Sequence, residues 1–262
     1  MKIERKMPVL FLGHGSPMNA LANNSYTKML EYLSMRLPAP EAILCVSAHW
    51  LTRGTLITHM EWPKTIHDFG GFPRPLYEVQ YPAPGRPDIA EDIQKLIPVP
   101  KLQLDYDWGL DHGTWSVLKH MYPEANIPVL QMSLNMQETI EYHFNLGQQL
   151  QALREKGILI LCSGNIVHNL GRISWDEKAP AHNWAVEFDE WVKEKILNRD
   201  FKALQFDFLK TDSGRLSVPT LEHYLPLVYT IGASQMNDEI RFEFEGMQNA
   251  AISMRCISFG MV

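Results

Sequence analysis

Three stretches of this sequence are apolar almost without interruption, and each runs into a histidine. Residues 8–12 (PVLFL) lead into Gly13-His14-Gly15-Ser16, residues 42–47 (AILCVS) into Ala48-His49-Trp50, and residues 158–162 (ILILC) into Ser163-Gly164-Asn165 and on to His168. Strict alternation of apolar and polar residues would mark a strand with one wet face. A continuous apolar run marks a strand buried on both faces, which requires helices on either side of the sheet. Helical spacing appears between the runs, over residues 24–36, 88–96, 137–156 (with Gly157 as its stop), 181–197 and 220–230. Weaker strand patterns cover 55–58, 102–106 and 129–134, and residues 239–245 with 251–259 read as a closing antiparallel hairpin. The expected fold is therefore α/β, a three-layer α/β/α sandwich with a mixed, mostly parallel central sheet. At 262 residues, the chain fits one domain spanning 1–262.

The formal net charge of -6 argues against nucleic acid as a partner, since such proteins usually carry a basic face. No apolar run approaches the roughly 20 residues needed to span a bilayer, and the apolar part of the N-terminus is too short for a secretory signal. Three cysteines without metal-type spacing, two of them inside strand-like runs, fit a reducing, cytoplasmic setting. Oligomeric state is open between a monomer and a small homo-oligomer.

The chemistry is expected where the three runs end. In open α/β sheets, ligands bind in the crevice outside the carboxyl ends of the strands. If the runs are parallel neighbours, His14, His49 and His168 meet there, and imidazole is the commonest metal ligand. A single such histidine could equally be a hydrogen-bonded strand cap, but three at one structural position favour a site assembled by the fold. His112, in GLDHGTW, is a fourth candidate; Asp111 or a neighbour could orient its ring, and Thr114 could cap the helix that follows. His223, in TLEHY, is a fifth. Glu222 and His223 would point about 100° apart on a helix, so only one of them is expected to face the site. His59, His67, His120, His143 and His182 read as solvated or satisfied surface histidines. Ser16 does not sit in a nucleophile elbow, and there is no phosphate loop or dinucleotide fingerprint.

With these residues in place, the chain resembles the class III extradiol ring-cleavage dioxygenases, and within them the 4,5-DOPA extradiol dioxygenase family. The matching pieces are FLGHGSPMNAL, SAHW, GLDHGTWSVL, GSGNIVHNL and PTLEHYLPLVYTIGA, an ordered set running from residue 11 to residue 233. The resemblance implies one divalent metal ion, Zn2+ or Fe2+, with His14 and His49 as ligands. It puts His223 where the broader superfamily carries a glutamate ligand, a departure from the usual two-histidine, one-carboxylate set. It implies that His168 is the acid/base, close enough to be a further ligand, and that His112 is catalytic and lines the substrate site with Ser16. The activity implied is cleavage of a catechol such as L-DOPA by O2 to a muconic semialdehyde. Two other readings compete: a zinc-dependent hydrolase using the same histidines, and a metal-binding or interaction module that has lost its chemistry. The proline-rich, aromatic-rich stretch 61–87 is expected to form an ordered lid or pocket wall.

Overall fold

The apolar runs become the middle of a sheet. The computed structural model describes residues 6–176 and 179–261. In chain order these form β1 (Val9–Gly13), α1 (Ser25–Arg36), β2 (Ala42–Thr52), β3 (Leu56–Thr58), α2 (Arg74–Tyr77), α3 (Pro87–Leu96), β4 (Gln103–Asp105), α4 (His112–Met121), β5 (Val129–Asn135), α5 (Ile140–Arg154), β6 (Ile158–Gly164), α6 (Asn183–Leu197), α7 (Phe201–Phe206), α8 (Asp212–Ser217), α9 (Leu225–Ala233), β7 (Ile240–Phe244), β8 (Met247–Gln248), β9 (Ile252–Ser253) and β10 (Cys256–Phe259). The large sheet has the order β4-β3-β5-β2-β6-β1-β10-β7. Its centre, β5-β2-β6-β1, is parallel throughout, so the carboxyl ends of the three histidine-bearing strands lie side by side. Antiparallel pairings of β3 with β5, β1 with β10 and β10 with β7 make the sheet mixed.

Alternate residues of these strands serve opposite faces. Val9, Phe11, Leu44, Val46, Ile160 and Cys162 join a core with α3, α5, α6 and α9; Leu10, Leu12, Ile43, Cys45, Leu159 and Leu161 join a second core with α1 and α4. Two dry faces explain why the strands read as continuous rather than alternating. The three-layer sandwich expected from the sequence is what forms.

Several elements differ from expectation. The second strand continues past Ser47 to Thr52, but its pairing with β5 slips: five steps along β2, from Val46 to Leu51, match two along β5, from Met132 to Leu134. Such a bulge bends a strand and re-aims its side chains, and His49 lies inside it. The helix expected over 220–230 begins only at Leu225, with Pro226 in its first turn, where a missing N–H costs nothing. His223 therefore sits in the preceding turn. The expected hairpin partners, β7 and β10, do pair, with the small β8–β9 hairpin between them. α2, α7 and α8 were not expected. All three cysteines are buried and free, and no described helix is long and apolar enough to cross a membrane.

Candidate metal centre

Five of the ten histidines converge on the crevice at the strand ends. Ring centroids lie 5.0 Å apart for His14 and His49, 5.5 Å for His14 and His223, and 5.0 Å for His49 and His223. His112 stands 3.9 Å from His49, and His168 stacks on His223 at 3.5 Å with only 9° between the planes. Each arrives differently. His14 follows β1, its backbone carbonyl held by Asn19 Nδ2 at 2.9 Å. His49 is turned inward by the bulge of β2. His112 opens α4. His168 pairs with Ile252 of β9, and its backbone N–H donates to the Ser217 carbonyl. The carbonyl of His223 accepts from Asn165 N at 2.9 Å, just beyond β6.

The partners of the rings fix where their lone pairs point. The Ser163 hydroxyl gives its one proton to the Gly113 carbonyl (2.5 Å), so His14 Nδ1, 2.9 Å away, must be the donor to Ser163. That leaves His14 Nε2 bare. His223 Nδ1 faces Glu222 Oε1 at 3.2 Å, and the same oxygen accepts from the Thr220 hydroxyl at 2.7 Å. His49 Nδ1 faces Asp68 Oδ2 at 3.3 Å, and His112 Nδ1 faces the same oxygen at 2.9 Å. With its Nδ1 turned to Ser163, His14 keeps Nε2 bare and meets His49 Nε2 at 3.1 Å, and His223 Nε2 is buried with no hydrogen-bond partner among the described residues. Two lone pairs facing each other repel unless a proton or a cation lies between them. Metal–nitrogen bonds of about 2.1 Å at 90–110° set ligand nitrogens roughly 3.0–3.4 Å apart, and the observed 3.1 Å falls in that interval. The donor set fits a divalent ion.

The electrostatics agree. Burial, reinforced by neighbouring imidazoles, holds His14 and His49 well below the usual histidine range. His223 is lowered by burial despite Glu222, and burial with the nearby His223 pushes His168 down to about 2. All four are neutral near pH 7, the protonation state in which imidazole binds metals. Burial alone would raise Glu222, but hydrogen bonds from His223 and Thr220 outweigh it and hold the carboxyl at about 2. Asp68 is likewise lowered, its burial outweighed by His112.

Every residue singled out in the sequence for the site is near it, but Asp111 and Thr114 take other parts than expected: Asp111, not Thr114, is the helix cap. Asp111 does not orient His112; it caps α4 by accepting from Thr114 N, and it also receives Ser47 Oγ and Gln131 Nε2. The orienting carboxylate is Asp68, for which the sequence carried no signal. Glu222 and His223 both reach the site, because they lie in a turn and not on a helix. Ser16 sits beside His14 with its hydroxyl capping Met18 N at 3.3 Å and its own N–H on Gln248 Oε1. His59, His67, His120 and His182 are satisfied by hydrogen-bond partners away from the site, as expected. His143 is a correction: it is 1% exposed, on the inner face of α5 against the Tyr229 hydroxyl. The 61–87 stretch is ordered and walls the site. Phe69 contacts His112 edge-on at 5.5 Å and clusters with Phe72, Tyr77 and Trp115.

Residues 8–247 match the family model described as the catalytic LigB subunit of aromatic ring-opening dioxygenase. A protein of Escherichia coli (strain K12) named 4,5-DOPA dioxygenase extradiol is 46% identical over 259 residues, covering 97% of this chain and 95% of its own. One of the same name from Beta vulgaris is 36% identical over 237 residues, covering 87% of each. Among solved structures, an uncharacterized protein of Escherichia coli K12 superposes with a TM-score of 0.84 at 41% identity, covering 97% of this chain and all of that one.

Proposed function

Because this chain belongs to the family of the catalytic LigB subunit of aromatic ring-opening dioxygenases, we propose that it opens a catechol ring, that of L-DOPA, between carbons 4 and 5 with O2. The observation that carries the reading is the meeting of His14 Nε2 and His49 Nε2 at 3.1 Å, with His112 close enough to share an ion with them and the orphaned His223 Nε2 on a ring centred 5.0 Å from that of His49 and 5.5 Å from that of His14. His14, His49 and His223 would hold the ion, and His168, stacked on His223, is near enough to join them. When bound, a divalent ion makes the catechol oxygens more acidic and, if it is Fe2+, links the electrons of the ring to O2. Zn2+ fits the same imidazoles but has no redox chemistry, so Fe2+ is the working metal in this reading.

The protein's own residues do the rest. His168 is neutral before substrate arrives; a catecholate bound beside it would offset the burial that holds its pKa down, so that the ring would take a phenolic proton and later return it. His112, its Nδ1 held by Asp68, presents Nε2 to the substrate side, where it positions the reacting oxygen. Phe69 and its aromatic neighbours exclude water and stack on the ring. Ser16 lies at the rim beside His14. The whole of 1–262 acts as one catalytic unit, in a cytoplasmic setting. The names of the relatives favour a dioxygenase over a hydrolase that would use the same histidines.

Protein loaded with Fe2+ under air should consume O2 and L-DOPA in equal amounts and form the yellow semialdehyde, which then cyclises. It should be silent under nitrogen. No oxygen uptake with any of a panel of catechols, from protein shown to contain iron, would end this reading.

A further inference from the structure

Asp68 lies in the aromatic-rich loop between β3 and α2, well away from the strand ends in sequence, yet its carboxylate meets two of the five histidines at once. Oδ1 accepts the backbone N–H of His112 at 2.9 Å. Oδ2 accepts His112 Nδ1 at 2.9 Å and also faces His49 Nδ1 at 3.3 Å. Two N–H donors of His112 thus point at one side chain, and His49 Nδ1 lies within ion-pair reach of the same oxygen. Only a group with two acceptor oxygens and no donor can serve both from separate oxygens, and among the uncharged amides none can.

We infer that Asp68 is a positioning residue shared by two imidazoles, turning His49 toward the metal and His112 toward the substrate. The inference rests on the metal-centre reading above. It also explains how the loop is joined to the chemistry. Phe69, the next residue, contacts the His112 ring, and Trp115 Nε1 donates to the Ile66 carbonyl at 2.7 Å, anchoring the loop to α4. The aromatic wall and the metal ligand are therefore held by one short segment, and the segment's position sets both. Carboxylates that orient ligand histidines typically contribute 10–100-fold to metal affinity.

Asp68→Asn is the discriminating substitution, because it keeps the volume and removes one acceptor. If the amide oxygen takes the place of Oδ2, the NH2 group meets the His112 backbone N–H; if the amide is flipped, the NH2 meets His112 Nδ1–H. Either way a donor faces a donor. The probe is metal alone: Zn2+ and Fe2+ affinities of wild type, Asp68→Asn and Asp68→Glu by competition with a chromophoric chelator, together with KM and kcat for L-DOPA. The expected result is a 10–100-fold loss of metal affinity in Asp68→Asn, accompanied by a higher KM, with Asp68→Glu recovering part of both. A metal affinity within twofold of wild type, whatever happens to kcat, would show that the carboxylate serves His112 alone and would overturn the shared role. A second measurement uses the unaltered protein: nitrogen NMR of the metal-free form should find His49 and His112 both as Nδ1–H tautomers, and an Nε2–H tautomer at His49 would also overturn it. If wild type itself bound no metal, the metal-centre reading would fall first and this inference with it.

Discussion

Gly164 ends β6 directly beneath His223, and the fit leaves no room for a side chain. A Cβ added there would meet Pro226 Cγ at 2.9 Å and the His223 carbonyl oxygen closer still. Gly164 does not occupy the left-handed region, so alanine is acceptable to the backbone and only the crowding is tested. Carbon atoms sit comfortably at about 3.5 Å or more, so the Pro226 contact alone makes the turn carrying His223 retreat by roughly 0.6 Å, and the tighter carbonyl contact asks for more. Ligand distances in metal sites hold to within about 0.2 Å, and the retreat is about three times that. Gly164→Ala should therefore lower metal affinity by about 10–100-fold, the range seen when ligand orientation is disturbed. Overpacking should also cost about 1–3 kcal/mol, which for a chain of this size lowers the melting temperature by about 2–4 °C per kcal/mol. Chelator competition would read the first effect and calorimetry of the metal-free protein the second. A variant that melts lower but binds metal as wild type does would refute the argument, since the contact would then support the fold without setting the ligand.

Two further outcomes follow from buried charge. Burial lowers His143 from the ordinary 6.5 to about 4, so the unfolded chain binds the proton more readily between those values; the stabilisation is present above pH 6.5 and is lost as pH falls toward 4. His143→Gln should thus lose roughly 2 kcal/mol less than wild type between pH 7 and pH 4.5 in urea titrations, and parallel pH profiles would contradict this. Asp189 binds the buried Arg255 through Nε at 3.0 Å and accepts from Ser253 Oγ, while Glu190 and Glu245 hold the far side of the guanidinium. Asp189→Ala should cost about 3 kcal/mol, the lower end for a broken buried pair, because two carboxylates remain; an unfolding free energy changed by less than about 1 kcal/mol would count against it.

The sheet and its histidines were legible because burial on both faces writes itself as uninterrupted apolar sequence. Residues 42–47 and 158–162 could hardly be anything but central strands, and the helix stops at Leu37-Pro38 and Gly157 are written in backbone chemistry. Single-element patterns could not reveal pairings between distant residues. Asp68 and Ser163 orient ring nitrogens through contacts 19 or more residues apart, visible only once the topology is known. Apolar spacing continues into the turn at 220–224 and imitates a helix there, whereas Pro226 marks the true start. His143 was misplaced for a related reason: a histidine on an amphipathic helix looks superficial until its neighbour, here the Tyr229 hydroxyl from α9, is known.

The strand that delivers His14 is held between β6 on one side and β10 on the other, and both come late in the chain. During synthesis the segment carrying His14 therefore leaves the ribosome before its hydrogen-bonding partners exist, and the crevice cannot acquire its shape until residues 158–164 and 256–259 have been made. Such long-range pairing slows folding. It also means that metal capture by the assembled ligand set waits for residues far along the chain, so a product cut short before β10 would not sequester the ion.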